Sequence, residues 1–165
     1  MRFFLFILLS FNGLQQSYGQ CEPVSAIQEP GFETNVELPF YNSNEGPWLT
    51  NDGHIIDDET PHEGDFSFCF ANGSISQEFD LLPNTEYLLT FWIKIPANES
   101  LSAGVYKSLS NGNVEKITSK RWTETSGWEQ VSLPFFIGSD YLDLVLDLGG
   151  TNSCIDSFEL CIVDS

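Results

Sequence analysis

The feature that most constrains this chain is a two-residue periodicity. Over residues 86–95, Tyr87, Leu89, Phe91 and Ile93 fall on one side of an extended segment, and Leu88, Thr90, Trp92 and Lys94 fall on the other. Over 141–148, Leu142, Leu144, Leu146 and Leu148 share one side while Asp143, Val145 and Asp147 share the opposite one. Helical periodicity is nearly absent. Gly, Pro, Asn and Asp divide the chain into short β-rich runs, which predicts strands over 32–37, 54–57, 66–71, 74–80, 86–95, 102–109, 113–118, 128–136, 141–148 and 154–163. About ten antiparallel strands with one apolar side each call for an all-β sandwich, because each inner face is buried only against another. Leu82-Pro83-Asn84-Thr85 reads as a turn joining strands 74–80 and 86–95 in a hairpin.

The ends and the composition bound the setting. After Met1 and Arg2 comes an almost wholly apolar run from Phe3 to Leu9, then polar residues and small Ser17 and Gly19 at the −3 and −1 positions of a cut after Gly19, the pattern of a signal peptide over 1–19. That run is about half of the ~20 residues needed to cross a bilayer, so no membrane span is expected, and residues 20–165 are left as one domain. The expected location is secreted and extracellular. Against 24 Asp and Glu stand 6 Lys and Arg, a formal charge of -18, which would repel nucleic acid and anionic membranes. Aromatic residues at 14% and apolar residues at 41% supply the core that a disordered acidic segment lacks. In an oxidising compartment Cys21, Cys69, Cys154 and Cys161 imply two disulfides, whereas a zinc site would need closely spaced thiolates or a nearby His. Asn72-Gly73-Ser74 and Asn98-Glu99-Ser100 are glycosylation sequons beside turn-like residues, relevant if the source is eukaryotic.

Catalysis finds little support. Asp143 and Asp147 would lie about 13 Å apart along one strand, beyond the roughly 5–10 Å of a glycosidase pair. His54 and His62 accompany no Gly-x-Ser-x-Gly elbow. The densest charge, Asp52, Asp57, Asp58, Glu59, Glu63 and Asp65 with Gly53, Pro61 and Gly64 among them, reads either as a solvated loop or as a calcium site, without the spacing of an EF-hand. Trp48, Trp92, Trp122 and Trp128 either fill the core or offer flat faces to sugar rings. Trp128 reads as core or edge packing, while Trp92 faces away from Tyr87, Leu89 and Phe91.

The order of short segments along the chain is the most specific signal. Pro30-Gly31-Phe32-Glu33, Gly46-Pro47-Trp48, Gly64-Asp65-Phe66-Ser67-Phe68 and Ser74-Ile75-Ser76-Gln77 come first. Leu82 to Lys94, Gly127-Trp128-Glu129-Gln130-Val131 and Ile155-Asp156-Ser157-Phe158-Glu159-Leu160 follow. In this order they resemble the carbohydrate-binding modules of families 4, 9 and 22, over about residues 29–163. The resemblance implies a galactose-binding-like jelly roll and a structural Ca²⁺ held by Glu33, Asp65 and Asp156. It also implies a Cys69–Cys154 disulfide, which leaves Cys21 to pair with Cys161; in the chain-entropy account a loop of that length contributes about 4 kcal/mol. Asp143 and Asp147 match two polar cleft positions, and Tyr106, Trp48 and Trp92 are candidate ligand-contacting rings. The family's cleft tends to carry Gln, Asn or Arg where this chain has Asp, and an acidic cleft disfavours uronate-rich glycans.

The expected function is therefore a secreted, non-catalytic module that binds a polysaccharide or glycan on a concave sheet face. The alternative is a protein-interaction or matrix module on the same fold, and a separate enzyme or a matrix protein would be the further partner.

Overall fold

The computed structural model describes residues 21–28, 30–33, 48–56, 61–139 and 143–163, with backbone alone over 51–56. The expected signal peptide, Leu142, Asp57, Asp58 and Glu59 lie outside the described residues. These contain nine strands: β1 (Cys21–Pro23), β2 (Leu49–Ile56), β3 (Ser67–Phe79), β4 (Thr85–Lys94), β5 (Ser100–Ser108), β6 (Val114–Thr123), β7 (Glu129–Ile137), β8 (Leu144–Thr151) and β9 (Cys154–Val163). Among them no helix is long and apolar enough to cross a membrane. All pairings are antiparallel and run in the order β6-β5-β8-β3-β9-β4-β7, with β2 on β3 and β1 on β9.

This ladder folds over at β3. The strand spans 13 residues, and it hydrogen-bonds to β9 at Phe68 and Cys69 but to β8 from Asn72 to Phe79. One half-sheet, β2-β3-β8-β5-β6, is thereby laid against the other, β9-β4-β7. Phe91 of β4 meets Trp122 of β6 edge-on at 5.5 Å although the two strands stand far apart in the pairing order. Between the halves lie Tyr87, Leu89, Phe91 and Ile93 of β4 and Leu144, Leu146 and Leu148 of β8, all buried as their alternation predicts.

Two local expectations are corrected by long-range pairing. Residues 66–71 and 74–80 are one continuous strand, because Asn72 and Gly73 stay paired with Thr151 and Gly150 despite their turn-favouring composition. The Pro83-Asn84 turn makes no hairpin: β3 and β4 are not neighbours, and the turn carries the chain from one half-sheet to the other. Asn84 adopts φ 55° there, and the Tyr87 hydroxyl accepts from the Leu82 amide at 2.9 Å, fastening the corner. Of the expected strand 32–37, residues 34–37 lie outside the described residues, and Phe32 is in the left-handed region at φ 59°.

The cysteines form Cys69–Cys154, across a directly opposed β3–β9 pair, and Cys21–Cys161, from β1 to β9. The segment after β1 is held down by a buried amide. Gln77, 2% exposed, accepts from the Gln28 amide at 2.8 Å and donates its Nε2 to the Gln28 carbonyl at 3.0 Å. Both ends of that side chain imitate a strand partner. Gln77→Ala should therefore cost about 2–3 kcal/mol in denaturant unfolding, since it leaves backbone groups without partners; a loss below ~0.5 kcal/mol would contradict this role.

Candidate functional site

The outer face of the β2-β3-β8-β5-β6 half is the sheet surface that the core does not use. Register sets its composition row by row. One row reads Leu49, Ser76, Asp147, Gly104 and Ser119 from β2 to β6; the next reads Ser74, Gly149, Ser102 and Arg121; on the other side Glu78, Val145, Tyr106 and Lys116 form a third. The floor is thus glycine and serine, bounded by longer side chains, and four inter-strand steps give it a reach of roughly 19 Å.

Tyr106 is placed by a missing side chain. A Cβ on Gly104 would stand 2.7 Å from Tyr106 Cε2, so the ring lies down across Gly104 only because that residue has none. Gly104 is opposite Asp147 in the ladder, so the outer edge of the ring lies over the residue that pairs with Asp147. Asp147 is half-buried, and the loss of solvent raises its pKa above the usual carboxylate range. At the far side of the same row Leu49 is 48% exposed. The face therefore offers an aromatic platform, an aliphatic edge, a desolvated acceptor and small polar groups.

Of the expected contact residues, Tyr106 and Asp147 come together here and the others do not. Asp143 precedes β8, is exposed, and lines a separate polar recess with Gln28, Glu78 and Asp80. Trp48 is 1% exposed, packed on Phe158 at 5.4 Å and Phe32 at 5.6 Å; it belongs to the core, which corrects its reading as a ligand-contacting ring. Trp92 projects from the opposite half-sheet, and the imidazole of His62 stacks on it at 3.5 Å, covering one face of the indole. Trp128 stands edge-on to the same His62 at 6.3 Å. Leu49, Gly104, Lys116 and Arg121 were not singled out from the sequence. Glycine inside the apolar run Ala103-Gly104-Val105 is the signal available for one of them, because strand glycine marks a close approach.

Glu33, Asp65 and Asp156 gather at one loop, by way of amides. Asp156, 0% exposed, accepts the amides of His62 at 2.9 Å and Glu63 at 3.1 Å on Oδ2, and that of Ser157 at 2.7 Å on Oδ1. The Glu33 carboxylate accepts the amides of Asp65, at 3.0 and 3.1 Å, and Phe66, at 3.2 Å. Gly64, at φ 68°, leaves room for that carboxylate, which a Cβ would strike. Together they clasp residues 62–66 from both sides, with oxygens matched to N–H donors. The Asp65 side chain is exposed. Among the described residues no group of three or more His, Cys, Asp or Glu side chains is placed to hold a metal ion. Burial raises the Asp156 pKa, and the hydrogen bonds from Glu63, Ser157 and His62 oppose the shift.

No protein-family model and no curated protein sequence matches the chain. Solved structures do. The first family 22 module of Paenibacillus barcinonensis Xyn10C, described as xylan-binding, superposes with a TM-score of 0.57 at 15% identity over 76% of this chain and 92% of its own. The C-terminal family 22 carbohydrate-binding module of Clostridium thermocellum Xyn10B gives 0.61 at 14% identity over 86% and 97%. A family 61 module, TmCBM61, solved with β-1,4-galactotriose, gives 0.57 at 19% identity over 83% and 98%. At such identities the likeness shows the fold alone, a jelly-roll β-sandwich shared with these modules.

Because the Asp147 and Asp156 carboxyls titrate above the ordinary 3.8, the folded chain takes up their protons before the unfolded chain does. Their contribution to stability rises as pH falls through the raised range and is complete below the unfolded value. The thermal midpoint should gain on acidification from pH 7, and Asp147→Asn should remove part of that gain. Equal slopes for wild type and Asp147→Asn would contradict the desolvation of this carboxylate.

Proposed function

We propose that this is a secreted, non-catalytic carbohydrate-binding module whose ligand crosses the strands of the β2-β3-β8-β5-β6 face, over the Tyr106 ring and past Asp147. The observation that carries the reading is the Tyr106 ring packed over Gly104, the residue that faces Asp147 across the β5–β8 ladder. A sugar ring presents an apolar face to an aromatic plane and hydroxyls at its rim, and a half-buried carboxylate accepts from such hydroxyls more strongly than an exposed one. The glycine and serine floor lets a chain lie close. Similar modules named for xylan and galactotriose support the substrate class. The two disulfides support an oxidising, extracellular setting.

Affinity electrophoresis against neutral polysaccharides, xylan and β-1,4-galactan among them, tests the reading. Wild type should be retarded by at least one polymer. Tyr106→Ala and Asp147→Ala should each weaken that binding by about tenfold, ~1.4 kcal/mol, with unchanged unfolding. Gly104→Ala should do the same without touching a ligand-contacting group, by lifting the ring. Binding that survives all three substitutions would move the ligand elsewhere, and no retardation by any glycan would favour a protein-interaction module.

Calcium rests on the resemblance, and Glu33 and Asp156 would have to exchange amide donors for the ion. A ligand that binds only the folded state must raise its melting midpoint. A rise of several degrees with millimolar Ca²⁺, reversed by chelator, would make calcium part of the module; an unchanged midpoint would leave the two carboxylates as the loop's fastening.

A further inference from the structure

The few cations of this chain are not spread evenly. Of its six Lys and Arg residues, Lys116, Lys120 and Arg121 belong to β6 and Lys107 to the adjoining β5. Two of the four have partners: Lys107 pairs with Glu115 at 3.4 Å, and Lys120 lies over the Trp122 ring at 5.3 Å. Lys116 and Arg121 do not pair with a carboxylate among the described residues, although the chain carries 24 of them. Arg121 instead donates to the Ser100 hydroxyl at 2.7 Å, in a recess it shares with Glu99 and Glu124.

Register puts both Lys116 and Arg121 on the outer face described above. Lys116 is opposite Tyr106 and Arg121 opposite Ser102, with Ser119 between them opposite Gly104. They close the β6 end of the floor, whereas Asp147 and Glu78 lie on β8 and β3. Two inter-strand steps, about 9–10 Å, separate β6 from Asp147, comparable to the Debye length at physiological salt, so the two ends present opposite charge to a bound chain. Lysine on an edge strand also protects against edge pairing. That role asks only for charge, and it does not account for two cations that, among the described residues, form no ion pair on the outer face.

We infer that the β6 end of this face takes an acidic sugar residue, carrying a carboxylate or a sulfate, within a chain whose neutral part crosses Tyr106 and Asp147. The inference rests on the proposed sugar-binding face and adds the charge of its ligand. A uniformly acidic polymer is disfavoured by Asp147 and by the net charge; a neutral chain with sparse acidic residues fits both ends.

Affinity gels containing glucuronoxylan, the same polymer after reduction of its carboxyls, and a sparsely sulfated xylan separate the possibilities. Wild type should be retarded more by glucuronoxylan or by the sulfated polymer than by the carboxyl-reduced one, and the stronger of the two names the acidic group. Lys116→Ala/Arg121→Gln should lower that binding on the order of tenfold while binding to the carboxyl-reduced polymer is retained, which also shows that the variant is folded. Equal retardation by all three polymers, or a preference that the double variant keeps, would overturn the charge assignment and leave neutral sugar binding intact. No retardation by any of them, with none by other neutral glycans, would remove the sugar-binding reading and this inference together.

Discussion

Everything in this molecule depends on β3 hydrogen-bonding two different partners along its length. A strand of 13 residues is long for a domain of this size, and a flat strand of that length would simply widen one sheet. Instead its first part belongs to β9 and its second to β8, so the chain's apolar sides are turned toward each other. The Cys69–Cys154 bridge sits at the start of that division. Tyr106, Asp147 and the serine floor exist as a surface because the opposite sides of their strands are buried by this fold-over.

Elements whose residues report their own surroundings were legible in the sequence. Tyr87, Leu89, Phe91 and Ile93 alternate because one side of β4 is core, and the leucines of β8 alternate for the same reason. The order of short segments pointed to the jelly roll, and the solved modules share it. What escaped was decided by partners remote in sequence. Asn72-Gly73 favours a turn locally, but pairing with Thr151 and Gly150 outweighs that preference. Trp48 looks like a surface ring until Phe32 and Phe158 enclose it.

The candidate site shows the same division. The outer-side position of Asp147 was legible from its place opposite the leucines, and that of Tyr106 from its parity opposite to Ala103 and Val105. Their meeting was not, because it arises from the β5–β8 register and from the absent side chain of Gly104. Charge behaved likewise. The excess of acids is plain in composition, whereas the gathering of Lys116 and Arg121 at one end of a face appears only after β6 is paired. The carboxylates of Glu33 and Asp156 are a further case: the amides of residues 62–66 that their oxygens accept are brought to them only by the folded loop.

The β1–β9 pair has a mechanical consequence. Cys21 stands opposite Val163, and the Cys21–Cys161 bridge joins the two strands covalently. Tension entering at Cys21 and leaving at Val163 would therefore pass through one disulfide and two residues of β9, and the interior strands would lie outside the loaded path. Loaded this way, the two ends of the domain are joined by a covalent bridge and not by ladder hydrogen bonds alone.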